Sequence, residues 1–329
     1  MSDTRIGISG WRYAPWRGVF YPKDWPQKRE LDYAASRLNS LEINGSFYSL
    51  QRPKNYAQWH GQTPDNFVFS VKGPRYITHM KRLRDIEGPL ANFFASGLLA
   101  LKEKLGPILW QFPPNFTFDE EKLKAFFRLL PRNTKEAADL AKHHDAWLKG
   151  RALTRADANR PLPHAIEIRH ASFADASFVD LLRRHKIALV FADTAGKWPY
   201  AEDLTADFVY ARLHGDKELY ASGYDEPALD KWAARFATWR DGKQPPDARL
   251  WSSKKPPKAK QRDIYVYFDN DVKVRAPFDA MALADRMGPG ARGVDRKEKI
   301  EMPTELVNAS ANQPRQRWPG VRKRKPAGM

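Results

Sequence analysis

The chain has 329 residues, 42% of them hydrophobic, and its formal net charge is +17. This apolar content excludes a chain that stays unfolded for want of a core, and the length allows one barrel of about 250 residues with appendages. The absence of cysteine excludes disulfides, thiolate nucleophiles and cysteine-held metals, while the positive charge favours anionic partners such as phosphates and nucleic acids.

The first segment, MSDTRIGISG, lacks the charged region and apolar run of an export signal. No run of about 18 uninterrupted apolar residues follows it, so we expect a cytoplasmic protein without a membrane span. Eight short apolar runs then succeed one another: RIGIS at 5, SLEIN at 40, FVFSV at 67, PILWQF at 107, AIEI at 165, IALVF at 187, DFVYARL at 207 and DIYVYF at 263. Most are continuous, which is typical of parallel strands covered by helices.

Amphipathic stretches separate most of these runs, at about 30–38, 90–104, 119–130, 173–184, 227–239 and 278–287. Alternation of this kind with eight strands predicts an α/β fold, a (β/α)8 barrel of the TIM type, rather than an open doubly wound sheet. The helices after strands two and six are weakly marked. Residues 53–60 and 194–206 are therefore compatible with loops.

We predict a single barrel domain over residues 1–288, with insertions at about 131–163 and 241–262. Both insertions lead into a strand, and such connections lie on the stability face of a barrel, away from the catalytic mouth. Residues 289–329 hold 10 Lys and Arg against 4 Asp and Glu. This last segment is predicted to be a basic, disordered tail.

Polar side chains gather at the C-terminal ends of the predicted strands, where barrel enzymes place their catalytic groups. Two-residue alternation puts three sets on one face of their strands: Glu42 with Asn44, Glu167 with Arg169, and Tyr210 with Arg212 and His214. Other strands end in Lys72, Gln111, Asp193 and Asn270. Any one of these is best explained as a structural ion pair or a satisfied polar group. Taken together they favour a site, because hydrophobic residues would usually stabilise a core better.

The loops after strands one and three mix aromatic and basic residues. GWRYAPWRGVFYPKDW includes Trp11 and Tyr13, and KGPRYITHMKRLR includes Arg75 and His79. Such mixtures suit base stacking and phosphate capture. Equally, the aromatic residues could cover the end of the barrel while the bases face water, and both interpretations stay open.

Seven ordered strings also identify a resemblance: IGISGWRYAPWRGVFYP, LEINGSFYSL, FVFSVKGPRYITH, KLGPILWQFPP, AIEIRHASF, DFVYARLHG and YVYFDND. Over about residues 5 to 287 they resemble the YecE-like family, known as domain of unknown function 72. The resemblance implies a TIM-type barrel and supplies no established reaction. It matches the family's recurrent polar positions to Tyr13, Glu42, Asn44, Tyr48, Lys72, His79, Gln111, Glu167, Arg169, His170, Asp193, Arg212, His214 and Asn270. Asp269 stands where that family often has Asn, which adds a carboxylate near the mouth.

The first hypothesis is an enzyme, a hydrolase, lyase or isomerase without a cofactor, that acts on a nucleotide, nucleic acid, sugar phosphate or other anion. Arg169 and Arg212 would clamp oxyanions, and Lys72 would stabilise charge or form a Schiff base. General bases would be Glu42 or Glu167, with His170 or His214 as acid. The catalytic set is completed by Asp193, and the substrate-binding set is Trp11, Tyr13, Asn44, Tyr48, Arg75, His79, Gln111 and Asn270.

Two alternatives remain. A divalent-metal barrel, resembling apurinic endonucleases or sugar isomerases, would use Glu42, Glu167, Asp193 and His214 as ligands. Against it, the nearby arginines could already neutralise those carboxylates. A non-catalytic nucleic-acid binder would instead depend on the basic loops and tail, and its affinity would fall steeply with salt.

Overall fold

The computed structural model describes residues 2–271 and 273–294. Eight parallel strands pair in sequence order and the last pairs with the first, which closes the sheet and confirms the predicted TIM-type barrel. The strands are β1 Thr4–Ser9, β2 Ser40–Ile43, β3 Val68–Lys72, β4 Leu105–Gln111, β5 His164–Glu167, β6 Ala188–Asp193, β7 Phe208–Leu213 and β8 Asp263–Phe268.

Helices cover the outside of this barrel. Those in the described part of the chain are α1 Glu30–Arg37, α2 Gly45–Tyr48, α3 Pro53–Gly61, α4 Glu87–Ala95, α5 Glu120–Leu129, α6 Thr134–Ala141, α7 Ala176–His185, α8 Glu226–Arg240 and α9 Arg275–Met287. The segment predicted as one helix over 90–104 divides at Gly97, whose φ of 114° favours glycine, and continues as a 3-10 helix Leu98–Lys104.

Of the two weakly marked connections, the one after β2 contains a helix, α3, and the one after β6 contains none between residues 194 and 207. In residues 2–271 and 273–294 we find no helix with the length and apolar character that crossing a membrane requires.

The barrel interior is built in tiers, because side chains two residues apart on a strand share a face. One tier carries hydroxyls: Ser40 Oγ lies 2.8 Å from the Tyr267 hydroxyl, and Ser70 Oγ lies 2.7 Å from the Tyr210 hydroxyl. Two residues further along the same four strands come the charged side chains Glu42, Asp269, Lys72 and Arg212. Polarity therefore rises toward the C-terminal ends of the strands.

Both insertions reach the side of the molecule that holds the strand ends, which differs from the expectation that they stay on the opposite face. Trp147 lines a cavity together with Tyr48, and Asp247 lines a second cavity together with Asp193. The segment after residue 288 also differs in part. Residues 289–294 pack on the barrel, with Ala291 buried, and the rest of the predicted tail lies outside the described residues.

Candidate active site

Arg212 on β7 is fully buried at the centre of the barrel mouth. It donates from Nε and Nη2 to both oxygens of Glu42, at 3.1 and 2.9 Å. It also donates from Nη1 to Glu167 Oε2 at 2.7 Å and from Nη2 to Asp269 Oδ2 at 2.9 Å. The remaining Nη1 donor faces His214 Nε2 at 3.5 Å. Since a guanidinium has five N–H groups, Arg212 keeps none for a substrate oxyanion.

Glu42 on β2 is saturated in the same way. Besides Arg212, its Oε1 accepts from Ser9 Oγ at 2.9 Å and its Oε2 accepts from the Tyr210 hydroxyl at 2.6 Å. The carboxylate is fully buried and holds four hydrogen bonds. A group so occupied positions Arg212 and is poorly placed to take a proton from substrate.

Glu167 at the end of β5 is equally occupied. Its Oε1 accepts from Gln111 Nε2 at 2.8 Å and from Arg169 Nε at 2.9 Å, while Arg212 holds Oε2. Burial alone raises the pKa of Glu167, but the guanidiniums of Arg212 and Arg169 outweigh it and hold the pKa well below its ordinary value. Glu167 therefore stays an acceptor at neutral pH.

Lys72, the last residue of β3, differs from all of these. The residue is 7% exposed, and in the described part of the chain its amine donates no hydrogen bond to protein, although Nζ keeps some contact with solvent. Nζ lies 4.3 Å from the centroid of the Phe47 ring. Burial lowers the pKa of Lys72 to about 8, and the charge of Arg212 acts in the same direction, while Glu42 and other carboxylates oppose it.

The backbone after Lys72 is fixed by close packing. A Cβ on Gly73 would lie 2.4 Å from the ring of Trp110, so only glycine allows the chain to pass here. The end of β3 is thereby pressed onto β4, and the Lys72 side chain is directed by a rigid strand.

Arg169 lies just beyond β5 and is held in a fixed orientation. Its guanidinium carbon lies 3.8 Å from the centroid of the Trp198 ring, and Nη2 donates to the Tyr220 hydroxyl at 3.2 Å. Within the described residues Nη1 has no acceptor, so Arg169, unlike Arg212, has a donor available for an anion.

His79 lies in a corner bounded by cations. Burial, together with the charges of Lys72, Arg169 and Arg75, lowers its pKa to about 4. Nδ1 lies 2.9 Å from Thr78 Oγ1. The imidazole is therefore neutral at pH 7 and can accept a proton. Arg75 itself is exposed and forms no ion pair within the described residues.

His214, which follows β7, is fully buried beside Asp269. Its Nδ1 lies 3.0 Å from Asp269 Oδ2. Burial raises the pKa of Asp269, but Arg212 and His214 together lower it to about 2. His214 thus belongs to the arginine-centred cluster.

Asp193 and Asn270 do not join this cluster. Asp193 Oδ2 accepts from the Tyr224 hydroxyl at 3.0 Å and borders a separate cavity of about 370 Å³. Asn270 Nδ2 donates to Asp279 Oδ2 at 2.8 Å and so fastens the loop after β8 to α9. Asn44 directly follows β2, and its buried Oδ1 has no hydrogen-bond partner within the described residues.

His170 caps the short 3-10 helix Ala171–Phe173, with Nδ1 accepting from the Ser172 amide at 3.1 Å. In the loop after β1, Trp11 is 7% exposed and packs edge-on against Trp59, with ring centroids 5.3 Å apart. The neighbouring aromatic side chains Trp16, Phe20 and Tyr21 are also buried. Packing over the barrel, rather than stacking of bases, therefore accounts for this loop.

Several residues of the site escaped the prediction because only long-range packing places them. Trp198 and Tyr220 reach Arg169 from the loops after β6 and β7. Asp271 follows β8 beside Tyr13; burial and the charge of Asp269 raise its pKa to about 6. The motif YVYFDND contained the signal for Asp271, since it places acidic residues at a strand end.

A cavity of about 660 Å³ adjoins the mouth on the side of β2 and β3. Phe47, Tyr48 and Arg75 line it, and the ring of Phe47 also lies against Nζ of Lys72, which does not line the cavity itself. The arginine-centred cluster itself is filled with side chains. Space for a ligand therefore lies beside the cluster.

The fold and this cluster define a TIM-type barrel with a polar centre at the C-terminal ends of its strands. The sequence pattern of the family described as "Protein of unknown function DUF72" matches residues 5–304, so the chain belongs to that family. Two solved DUF72 family proteins share the fold. One, from Thermotoga maritima MSB8, has a TM-score of 0.66 and 23% identity, covering 86% of this chain and 98% of that one. The other, from Enterococcus faecalis V583, has a TM-score of 0.64 and 16% identity, covering 90% and 99%.

Curated relatives match over a shorter stretch. UPF0759 protein YunF of Bacillus subtilis (strain 168) is 30% identical over 123 residues, which are 36% of this chain and 43% of that protein. UPF0759 protein YecE of Escherichia coli (strain K12) is 28% identical over 125 residues, 38% of this chain and 42% of that protein. These matches span less than half the length of either relative.

Proposed function

We propose that this protein is an enzyme that binds a phosphate-bearing or otherwise anionic substrate at the barrel mouth, between Lys72, His79 and Arg169. The observation that carries the proposal is the amine of Lys72, which belongs to a largely buried residue at a strand end and, in the described part of the chain, donates no hydrogen bond to protein. A cation held mostly out of water without a partner is costly to a fold. An anionic substrate would supply the missing acceptor.

The charges at the mouth support an anion as the ligand. Three carboxylates surround Arg212 and consume its donors, while within the described residues Lys72 and Nη1 of Arg169 retain unused N–H groups and Arg75, near His79, forms no ion pair. A substrate phosphate placed there would accept from Lys72 and from Nη1 of Arg169.

The role that we propose for each side chain follows from the hydrogen bonds that it already makes. His79, neutral at pH 7, is the candidate general base, and Lys72 would stabilise negative charge that develops on the substrate. Glu42 and Glu167, predicted as bases, act in this proposal as positioning residues for Arg212 and Arg169. The reaction that we propose is a hydrolysis, an elimination or an isomerisation.

The metal alternative fits the residues poorly. Arg212 bonds to both Glu42 and Glu167, and Asp193 is turned toward Tyr224. In residues 2–271 and 273–294 no three acidic or histidine side chains are arranged to hold a metal ion.

Thermal unfolding in inorganic phosphate, against chloride at equal ionic strength, tests the binding. A ligand that binds only the folded state at 100 times its Kd stabilises it by about 2.7 kcal/mol. We expect phosphate to raise the Tm of the wild type and of Lys104→Met, whose lysine lies at the other end of the barrel, but not that of Lys72→Met or Arg169→Met.

Turnover of a panel of nucleotides and sugar phosphates, followed by phosphorus NMR, then separates an enzyme from a binder. An enzyme loses turnover in His79→Gln while it still binds phosphate. A non-catalytic nucleic-acid binder would show no turnover, and its affinity would fall steeply with salt and be insensitive to His79→Gln. Equal phosphate responses in wild type and Lys72→Met would disprove the site.

A further inference from the structure

Exposed aromatic and apolar side chains are concentrated at one place on the described surface. Six large hydrophobic side chains are exposed in residues 2–271 and 273–294, and four of them line the cavity of about 660 Å³ beside the mouth: Tyr48, Tyr76, Met80 and Trp147. Single exposed hydrophobic residues are ordinary, whereas a cluster around a concave site marks a binding surface.

Hydrogen bonds fix the position of Trp147. Its amide donates to Asp145 Oδ1 at 2.9 Å, and Asp145 Oδ2 accepts from Asn92 Nδ2 on α4 at 2.8 Å. The guanidinium of Arg151 covers the ring, 4.4 Å from its centroid. The side chain nevertheless remains 60% exposed, and within the described residues it has no aromatic partner. Its position is fixed while ring surface stays available.

The π-helical turn Tyr76–Met80 also lines the cavity, through Tyr76, Ile77 and Met80. Tyr76 is 47% exposed and likewise has no aromatic partner in the described part of the chain. Among the next residues, Leu83 and Asp85 have φ values of 64° and 46°, in the left-handed region that non-glycine residues rarely adopt. Strained backbone of this kind is common at ligand sites, where packing holds side chains in a required position.

Like the proposed anion site, the cavity carries basic side chains. Arg75 lines it and forms no ion pair within the described residues, and Lys81 is only loosely paired, 3.7 Å from the exposed Asp85. Phe47 also lines the cavity, and its ring lies against the Lys72 ammonium, which does not line the cavity itself. A ligand with a flat ring in the cavity would therefore extend past Phe47 to place a phosphate against Lys72.

We propose that this cavity is a ring-binding subsite that takes the nucleobase of a nucleoside phosphate, either a free nucleotide or one unit of a single-stranded nucleic acid. It rests on the proposed function in that the phosphate lies at Lys72. Aromatic faces with neighbouring cations stack bases and hold their phosphates, and the volume falls within the roughly 300–1,000 Å³ of ligand sites. A simple sugar phosphate would leave the aromatic walls uncovered.

Calorimetric titration of the full chain tests the subsite with four probes: AMP, ribose 5-phosphate, adenosine and a short oligothymidylate. Trp147→Ala and Tyr76→Ala remove one ring each, Trp147→Phe retains a ring, and Leu250→Ala removes an exposed side chain outside the cavity. We expect Trp147→Ala and Tyr76→Ala to weaken AMP or the oligothymidylate about tenfold, with ribose 5-phosphate unchanged. Trp147→Phe should recover most of that affinity, and Leu250→Ala should match the wild type.

The probes distinguish the two sources of the base and the two proposals. AMP binding as tightly as the oligothymidylate indicates a free nucleotide, and a strong preference for the oligothymidylate indicates single-stranded nucleic acid. Ring-dependent binding that is insensitive to Lys72→Met upholds the subsite and overturns the proposed anion site. The subsite is refuted if neither base-bearing probe binds, or if Trp147→Ala and Tyr76→Ala leave their affinities unchanged.

Discussion

Two buried lysines lie at opposite ends of this barrel. Lys104, just before β4 at the N-terminal end, is 2% exposed, and its Nζ donates to the backbone oxygens of His60 and Thr63, each at 2.7 Å. Lys72, at the C-terminal end of β3, is 7% exposed and in the described part of the chain donates to no acceptor. The two lysines are buried to a similar degree, but Lys104 has hydrogen-bond acceptors and Lys72 has none in the described part of the chain.

The difference separates a structural cation from a functional one. Lys104 ties the end of α3 to the segment before β3, and its hydrogen bonds explain its burial. No such explanation exists for Lys72, which shares its surroundings with three carboxylates already bonded to Arg212. An unsatisfied polar group in a native fold calls for another explanation, and a ligand is the simplest.

The largest effect concerns Arg212, the most completely paired cation of the molecule's described part. Arg212→Met leaves three carboxylates packed together without their counter-ion, so we expect the free energy of unfolding to fall by about 3–5 kcal/mol. Urea denaturation followed by circular dichroism measures it. Arg235→Met is the matched control: Arg235 pairs with Glu202 and with Asp247, whose side chain is 67% exposed and can return to water.

The loss in Arg235→Met should be smaller, about 1–3 kcal/mol. Equal losses for the two arginines would show that burial of the carboxylates does not govern the energetics of the mouth. That result would remove the distinction between cations whose N–H groups are all hydrogen-bonded, which stabilise the fold, and Lys72, which does not stabilise it.

The second prediction is a pH dependence. The folded pKa of Lys72, about 8, lies below the ordinary value of 10.5, so the folded protein releases this proton before the unfolded chain does. The free energy of unfolding contributed by Lys72 therefore rises between pH 8 and pH 10.5, by on the order of 3 kcal/mol. Urea unfolding at several pH values should show this rise in the wild type and its absence in Lys72→Met. Parallel curves for the two proteins would contradict it.

Third, the two lysines should respond oppositely to the same substitution at pH 7. Lys104→Met removes charge-assisted hydrogen bonds and leaves two carbonyl oxygens without a donor, which we expect to lower the free energy of unfolding by about 1.5–3 kcal/mol. Lys72→Met should leave stability unchanged or raise it, because it removes an unpartnered charge. A loss in Lys72→Met as large as that in Lys104→Met would mean that Lys72 is structural.

The sequence was sufficient for the fold and for the core of the cluster. Short apolar runs predicted each strand, and two-residue alternation placed Glu167 with Arg169 and Arg212 with His214, as the structure shows. The hydroxyl tier was not predicted, although its signal is in the sequence: a serine or tyrosine lies two positions before Glu42, Lys72, Arg212 and Asp269.

The sequence did not predict which polar side chains would pair with each other. Whether an arginine at a strand end still has N–H groups available for a ligand depends on side chains from other strands. Arg212 and Arg169 therefore seemed equivalent until the structure showed which acceptors their N–H groups contact. Asp193 ends β6 as expected, yet Tyr224 diverts its side chain. The sequence also did not show which aromatic side chains are exposed, because two-residue alternation does not distinguish the buried Trp11 from the exposed Trp147.

The smallest effect concerns Phe47, whose ring is the nearest stabilising neighbour of the Lys72 ammonium, 4.3 Å from its centroid. Cation–π contacts contribute about 0.5–2 kcal/mol and favour the charged form. Phe47→Leu should therefore lower the pKa of Lys72 further, by about one unit or less, since one unit corresponds to about 1.4 kcal/mol. The pH dependence of Lys72 acetylation, followed by peptide mass spectrometry with Lys104 as internal reference, measures the change. An unchanged or raised pKa would show that the ring does not stabilise the charge, and that the carboxylates alone hold Lys72 protonated.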